Sequence, residues 1–574
     1  SAPPPRGALA GAATCIAAGV ASWGRWRRGA QAGRCRVRLA ESAGRIGGAA
    51  VDPDTARGRA ANPLLQGLFV PEDEGDETVS GDLQVDGELP TWLRGQLLHP
   101  VAGRWHINGE RFQGVFDCQA MVQGLSIEPA GRCSYRRRHL DSENLRRHLS
   151  RGQVAARELH SRPQLPSAWD RLAFALSEPA MGQNAWQMLN SFGAGRLMAS
   201  MNGSQFMEVD PCSFATLGPL RYTDSLEEDG QFFYHAEPTE DARTGEVICA
   251  SLRFSMTRLR FELVLYCFDA GQRPEPGAPV HRRQLAVVPW GGPLLPLLHT
   301  TWITEHYLIC VASPAKLDVG RAMWNELEWV ASGRFTGEGR MIWQRGDGTT
   351  AYVISRESGE VAGTFPLGED ILAGHVANVF ERPGPEPGDV ELVFDWPANS
   401  SMGAGRGSDP FELPLGADDA AEVFWSFEEM TYRRVTICLA SGDVTMSAPR
   451  FAERVSHTIV NPKVSMRRHR FSYALSVFGY ERHRLFKLDH ETRERTEWAP
   501  KLGEALKSET VFVPEPGSDR EDAGVLLTWA TDMSSLTSRV VVVDAATMRE
   551  LASIRLPESQ YCPVTLHGMF LHAS

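Results

Sequence analysis

The sequence predicts an all-β protein, and three observations carry that prediction. From Asn62 onward the apolar runs are short and rich in β-branched and aromatic residues, as in ELVLYCF, HYLICVAS, VELVFDW and RVVVVDA. Such runs, separated by turn-forming residues, read as strands rather than helices. A unit of apolar run, polar turn and second apolar run also recurs, in FMEVDPCSFATLGPL, YVISRESGEVAGTF, LFKLDHETRERTEW and VVVDAATMRELASI. Each unit reads as a hairpin, and hairpins repeated along one chain point to propeller blades. Finally, helical patterning is confined to short pieces, SENLRRHLSRGQVAARELH (142–160) and GRAMWNELEWVA (320–331).

With 574 residues, 54 Gly, 36 Pro and 42% hydrophobic residues, the chain has the make-up of a globular protein with a large core. Charge is uneven along it. Residues 1–60 hold ten Arg against Glu41, Asp52 and Asp54, a balance of +7; the whole chain is −12, so the remainder carries −19. An acidic body without a basic aromatic patch does not suit nucleic-acid binding, so no nucleic-acid partner is expected. The first residues, ALAGAATCIAAGVASW followed by WGRWRRGAQAGRCRVRLAESAGR, read as a targeting or disordered leader over 1–61, with one β domain over 62–574. An Arg- and Ala-rich, acid-poor leader suits a plastid address; without it the chain would be cytoplasmic. The ten cysteines are scattered singly, which fits buried thiols better than a disulfide framework. No apolar run reaches the ~18 residues of a membrane helix.

Projecting imidazoles from several strands onto one metal is one way for a β-rich chain to build a reactive centre. Sixteen histidines are present, and a single His in an apolar strand is more often a core or surface residue than a ligand. What groups four of them is a resemblance. PLLPLLHTTWITEHYLICVASP (293–314), AGHVANVFE (373–381) and, most specifically, SETVFVP…LLTWATD…VVVVDA…IRLPESQYCPVTLHGMF (508–570) resemble the carotenoid cleavage oxygenases, the carotenoid oxygenase or retinal pigment epithelial membrane protein family. NPLLQGLFVPEDE and DGELPTWLRGQLL match its N-terminal signature, so the likeness runs in order across 62–574.

The resemblance implies a seven-bladed β-propeller with short helical insertions capping the active-site face. It implies one Fe(2+) per chain held by His235, His299, His375 and His567, with no catalytic residue beyond the ligands. Neutral imidazoles suit Fe(II) and leave positions open for dioxygen and substrate. His235 comes from FFYHAEPTEDARTGEV (232–247), where Thr244, Gly245 and Glu246 fit the family pattern. Counted back without a gap, the ligand position falls on Glu237; a two-residue insertion restores His235. Glu237 therefore stays open as a carboxylate substitute.

Several positions depart from the family. It places acids behind three of the histidines. Glu509 keeps one, whereas Asn202 and Ser456 stand where the other two are expected, able to accept a hydrogen bond but without charge. The phrase GVFDCQAMVQG replaces the glycines of a family turn with Cys118 and Ala120, and Val376 replaces a second His. Trp302 and Phe380 are expected to line an apolar substrate tunnel.

The resemblance thus implies an iron dioxygenase that cleaves a conjugated double bond of a carotenoid or apocarotenoid to aldehyde or ketone products, and the leader alone adds the plastid address. Its partners would be dioxygen, the hydrophobic substrate and, peripherally, a membrane surface. Two alternatives stay open: a non-catalytic carotenoid- or lipid-binding propeller, and an isomerase or stilbene-type cleavage activity on the same scaffold.

Overall fold

The computed structural model describes residues 77–573, except 179–181, 194, 236, 269–274, 337–339, 373, 400–429, 477–482, 558–559 and 564. The leader and the NPLLQGLFVPEDE stretch lie outside the described residues.

Hairpin units of the kind legible in the sequence become antiparallel sheets. Among the described residues seven sheets carry four to six strands each, most of them built from strands consecutive in the chain. Two sheets join the ends of the chain. Gly95–Arg104 pairs with Met569–His572, and Val85–Gly87 pairs with Glu550–Arg555. The fold is an all-β propeller, with its ring closed by the joining of early and late strands.

Central strands are buried on both faces, because each sheet packs between two neighbours. Gly524–Asp532 is buried along nearly its whole length. That double burial is why the sequence shows continuous apolar runs such as GVLLTWAT instead of clean alternation. Between the sheets holding Thr301–Ile303 and Asn378–Pro383, Trp302 meets Phe394 and Trp396 at ring separations of 5.1 Å each. Ile309, Val353 and Leu392 fill the rest of that layer. Aromatic pairs of this kind add about 0.5–1.5 kcal/mol each beyond their buried area.

Three α-helices interrupt the described strands: α1 (Glu143–Arg151), α2 (Ala168–Ser177) and α3 (Val319–Ser332). Each starts on a side-chain cap: Ser142, Ser167 and Asp318 accept from the backbone N–H of Leu145, Asp170 and Arg321. α1 stops well short of residue 160 because Gly152 takes a left-handed C-cap with φ +65°. α3 matches its predicted span, whereas α2 was not predicted. Phe174 of α2 packs edge-on against Trp329 of α3, with ring centroids 5.7 Å apart.

The eight described cysteines are all free thiols, and all but Cys212 are buried. Burial raises the Cys118 thiol well above its ordinary pKa and holds Cys562 at about 12, so both are inert packing residues.

Candidate metal centre

Edge strands of the sheets supply the inward-facing groups. His299 lies two residues before the edge strand Thr301–Ile303, His375 precedes the edge strand Asn378–Pro383, and His567 precedes the edge strand Met569–His572. Glu237 lies between the short strands Phe233–Tyr234 and Thr239–Glu240. Here the chain changes neighbour. The backbone N–H of His235 donates to Ala250 O within its own sheet, but Glu237 forms a parallel bridge to Thr300 of the next sheet. The Thr300 hydroxyl donates to Glu237 Oε2, leaving Oε1 to face inward. Two residues on, Thr239 Oγ1 donates to Thr301 O at 2.7 Å and secures the crossing.

His375 is fixed from behind. The Ala377 N–H donates to Asp395 O, and Asn378 Nδ2 donates to Val464 O and Arg467 O at 3.1 and 2.8 Å. His567 bridges Met188 in parallel and donates its N–H to Gln187 O at 3.1 Å. The glycine after it is required by space: a β-carbon on Gly568 would stand 2.0 Å from His99 Nε2. The His99 ring lies flat on that backbone, with its Nδ1 accepting from Trp529 Nε1 at 3.1 Å. The late His-Gly pair is therefore one residue of the converging cluster and one that lets a neighbouring ring pack against the chain.

Four donor atoms converge. Glu237 Oε1 lies 2.8, 3.1 and 2.9 Å from the Nε2 atoms of His299, His375 and His567, and His299 Nε2 lies 3.1 Å from His375 Nε2. The candidate donor atoms of all four residues lie within 4.8 Å of one another. Metal–ligand bonds of about 2.1 Å at right angles put neighbouring donors about 3.0 Å apart, so these contacts have the size of the edges of a coordination polyhedron. His567 Nδ1 pairs with Glu509 Oε2 at 2.8 Å. With that nitrogen donating to the carboxylate, the buried Nε2, which has no hydrogen-bond partner, turns its lone pair toward another carboxylate oxygen. A cation between them resolves the conflict, and a carboxylate behind a ligating imidazole is the usual support for one.

The electrostatics agree. Burial pushes the Glu237 carboxyl up, but His299, His375 and His567 outweigh it and hold the group well below the usual carboxylate range. Burial lowers His375. At His567 burial also lowers the pKa, but Glu237 and Glu509 more than reverse this and raise it well above the ordinary imidazole value. The centre is a negative pocket, one carboxylate inside and one behind, able to hold a cation.

His235 does not join this group. It is buried, with its pKa lowered to about 3 by burial and then by His299, and it faces a cavity of about 360 Å³. Asn202 lines the same cavity, its backbone N–H donating to Gln187 Oε1 at 2.7 Å. Ser456 Oγ pairs with His457 Nδ1 at 3.1 Å. Trp302 and Phe380 do not line this cavity: Trp302 is 1% exposed in the inter-sheet core, and Phe380 packs edge-on against His469. Strand pairing turns both into packing layers.

The sequence reading missed His457. Its ring lies 4.9 Å from that of His375 and 5.8 Å from that of His567. A second donor group, Asp395, His469 and His490, is fully buried. Both Asp395 oxygens accept from Arg434 at 2.8 and 2.6 Å, and His490 Nε2 meets Ser472 Oγ at 2.9 Å, so a structural ion-pair network accounts for it.

The cavity is largely apolar, walled by Phe116, Met201, Phe233, Leu252, Leu298 and Met323 among others. It reaches Leu298 and Gln187, next to His299 and bonded to His567 respectively. Arg157, Arg162, Arg340, Glu158 and Glu326 form a charged portion of its wall.

The family model described as retinal pigment epithelial membrane protein matches residues 69–572. A carotenoid isomerooxygenase of Galleria mellonella is 25% identical over 521 residues, covering 87% of this chain and 95% of that protein. Carotenoid cleavage dioxygenase 8 homolog B, chloroplastic, of Oryza sativa subsp. japonica is 24% identical over 519 residues, covering 84% and 81%. Among solved structures, cobalt-substituted Synechocystis apocarotenoid oxygenase superposes with a TM-score of 0.69 at 20% identity, covering 89% of this chain and 98% of that one.

Proposed function

The chain belongs to the retinal pigment epithelial membrane protein family of carotenoid and apocarotenoid cleavage oxygenases and isomerooxygenases, and from that premise we propose that it is an Fe(II)-dependent dioxygenase cleaving a conjugated double bond of an apocarotenoid. One observation carries the reading: three imidazole nitrogens meet a carboxylate oxygen at 2.8–3.1 Å beside an apolar cavity. Glu237, His299, His375 and His567 would hold one iron, which supplies the redox chemistry that dioxygen needs.

The protein's own residues do the rest. Glu509 holds the His567 Nδ1–H and so fixes which nitrogen faces the centre. Thr300 holds one Glu237 oxygen back and presents the other. The apolar walls exclude water and keep a linear polyene extended toward His299. Arg157 lines the cavity with a buried Nε that has no hydrogen-bond partner. A carbonyl or hydroxyl end group would satisfy that nitrogen, which favours an apocarotenoid over a hydrocarbon carotene. Exposed Trp169 and Leu176 on α2, with Trp324 and Leu327 on α3, lie on the helices beside the cavity, α3 contributing to its wall; they suit contact with the membrane that holds such substrates. The Arg-rich leader and relatives whose names include "chloroplastic" support a plastid location.

Product analysis tests the reading. Full chain loaded anaerobically with Fe(II), given an apocarotenal and ¹⁸O₂, is expected to yield two shorter carbonyl products carrying the label. An isomerised alcohol would replace the cleavage reading with the isomerase. Tight polyene binding with no oxygen uptake would replace it with a carrier.

A further inference from the structure

His457 lies on the edge strand Val455–Ile459, where the register breaks: Ser456 pairs with Leu475 and Thr458 with Ala474, so His457 drops out of the ladder. Its φ is +44°, in the left-handed region. That conformation costs a residue with a β-carbon roughly 1–2 kcal/mol and persists only where the surroundings impose it. The bulge turns the ring inward. Its centroid distances of 4.9 Å to His375 and 5.8 Å to His567 approach those among the converging rings themselves, 4.9 Å for His299–His375 and 4.6 Å for His375–His567. Its Nδ1 pairs with Ser456 Oγ at 3.1 Å. It lies on the edge strand of its own sheet, and the three converging histidines each lie just before an edge strand of theirs.

Resting on the reading of this cluster as a metal centre, we propose that His457 is the fourth imidazole of that centre, so that Glu237, His299, His375, His457 and His567 together bind the ion. Its nitrogens stand outside the tight group of four donors, and binding requires the side chain to rotate toward the shared point. His235, buried beside the cavity, remains outside the coordination sphere.

The test loads the full chain with one equivalent of Cu(II) as a probe and counts imidazoles by the remote-nitrogen modulation in pulsed EPR, alongside the Cu(II) dissociation constant. The informative variant is His457→Asn, because Asn tolerates the left-handed backbone and keeps the bulge. Wild type is expected to show four imidazoles, His457→Asn three with binding at least tenfold weaker, and His235→Asn four. Three imidazoles in wild type, or loss of one in His235→Asn but not in His457→Asn, overturns the proposal. Should His457→Asn fail to fold, the wild-type count together with His457→Gln decides. Failure of every form to bind Cu(II) would instead remove the metal centre itself.

Discussion

Glu237 is where the charge of the centre concentrates, and replacing it separates charge from shape. Glu237→Gln keeps the volume and an oxygen for the Thr300 hydroxyl but removes the anion among three imidazoles. Metal affinity is expected to fall by well over tenfold, whereas Glu509→Gln, acting through His567, is expected to cost about 10–100-fold. Calorimetric titration with Fe(II) or Co(II) checks both, and unchanged affinity in either variant contradicts the assigned role. Gly568→Ala forces a β-carbon into the His99 ring; a destabilisation of about 1–3 kcal/mol is expected, with weakened metal binding because His567 shifts. At this scale His299, His375, His567 and Glu509 were legible through their motifs, and the structure places them together. The choice between His235 and Glu237 was not, because the chain changes partner strand between them and period-two reasoning stops at that crossing. His457 gave only the signal of Ser-His-Thr interrupting an apolar strand, too weak to distinguish a bulged ligand from a core residue.

Edge strands govern the next level. Each converging residue sits at the inner edge of a different sheet, so the centre exists only when several sheets assemble, and no local window of sequence contains it. The helices add what the strands do not. α3 walls the cavity, α2 packs on α3, and Trp169 and Trp324 stand 79% and 56% exposed. Replacing both tryptophans with Gln is expected to reduce co-sedimentation with liposomes several-fold while leaving metal content unchanged; equal sedimentation would remove the membrane role. α3 was legible from its apolar spacing. α2 was passed over, although SAWD (167–170) carries a capping signal: Ser167 Oγ accepts from the Asp170 N–H. Trp302 and Phe380 were misplaced because an aromatic near a ligand in sequence can belong to the opposite face of the same sheet.

The whole molecule buries several histidines as neutral rings, which ties its stability to pH. Burial lowers His469 and His483 to about 4 and His490 to about 2, against an ordinary value near 6.5. Their folded values lie below the unfolded one, so the stability they carry is fully present above about pH 6.5 and is lost as pH falls toward 4, where the unfolded chain takes up protons that the folded chain refuses. Each contributes a slope of about 1.4 kcal/mol per pH unit in that window. The thermal midpoint of metal-free protein is expected to drop steeply between pH 6.5 and 4.5, and a flat profile would contradict the burial. The all-β class and the hairpin repeat were visible from short β-branched runs. The pairing of early with late strands was not, since it joins segments nearly the whole chain apart. The most direct measurement is elemental metal content of the full chain after anaerobic Fe(II) loading and removal of free ion. Near one iron per chain, lost in His299→Ala and Glu237→Ala but kept in His235→Ala, is expected; no retained iron, or iron lost in His235→Ala and kept in Glu237→Ala, would contradict a centre built on Glu237.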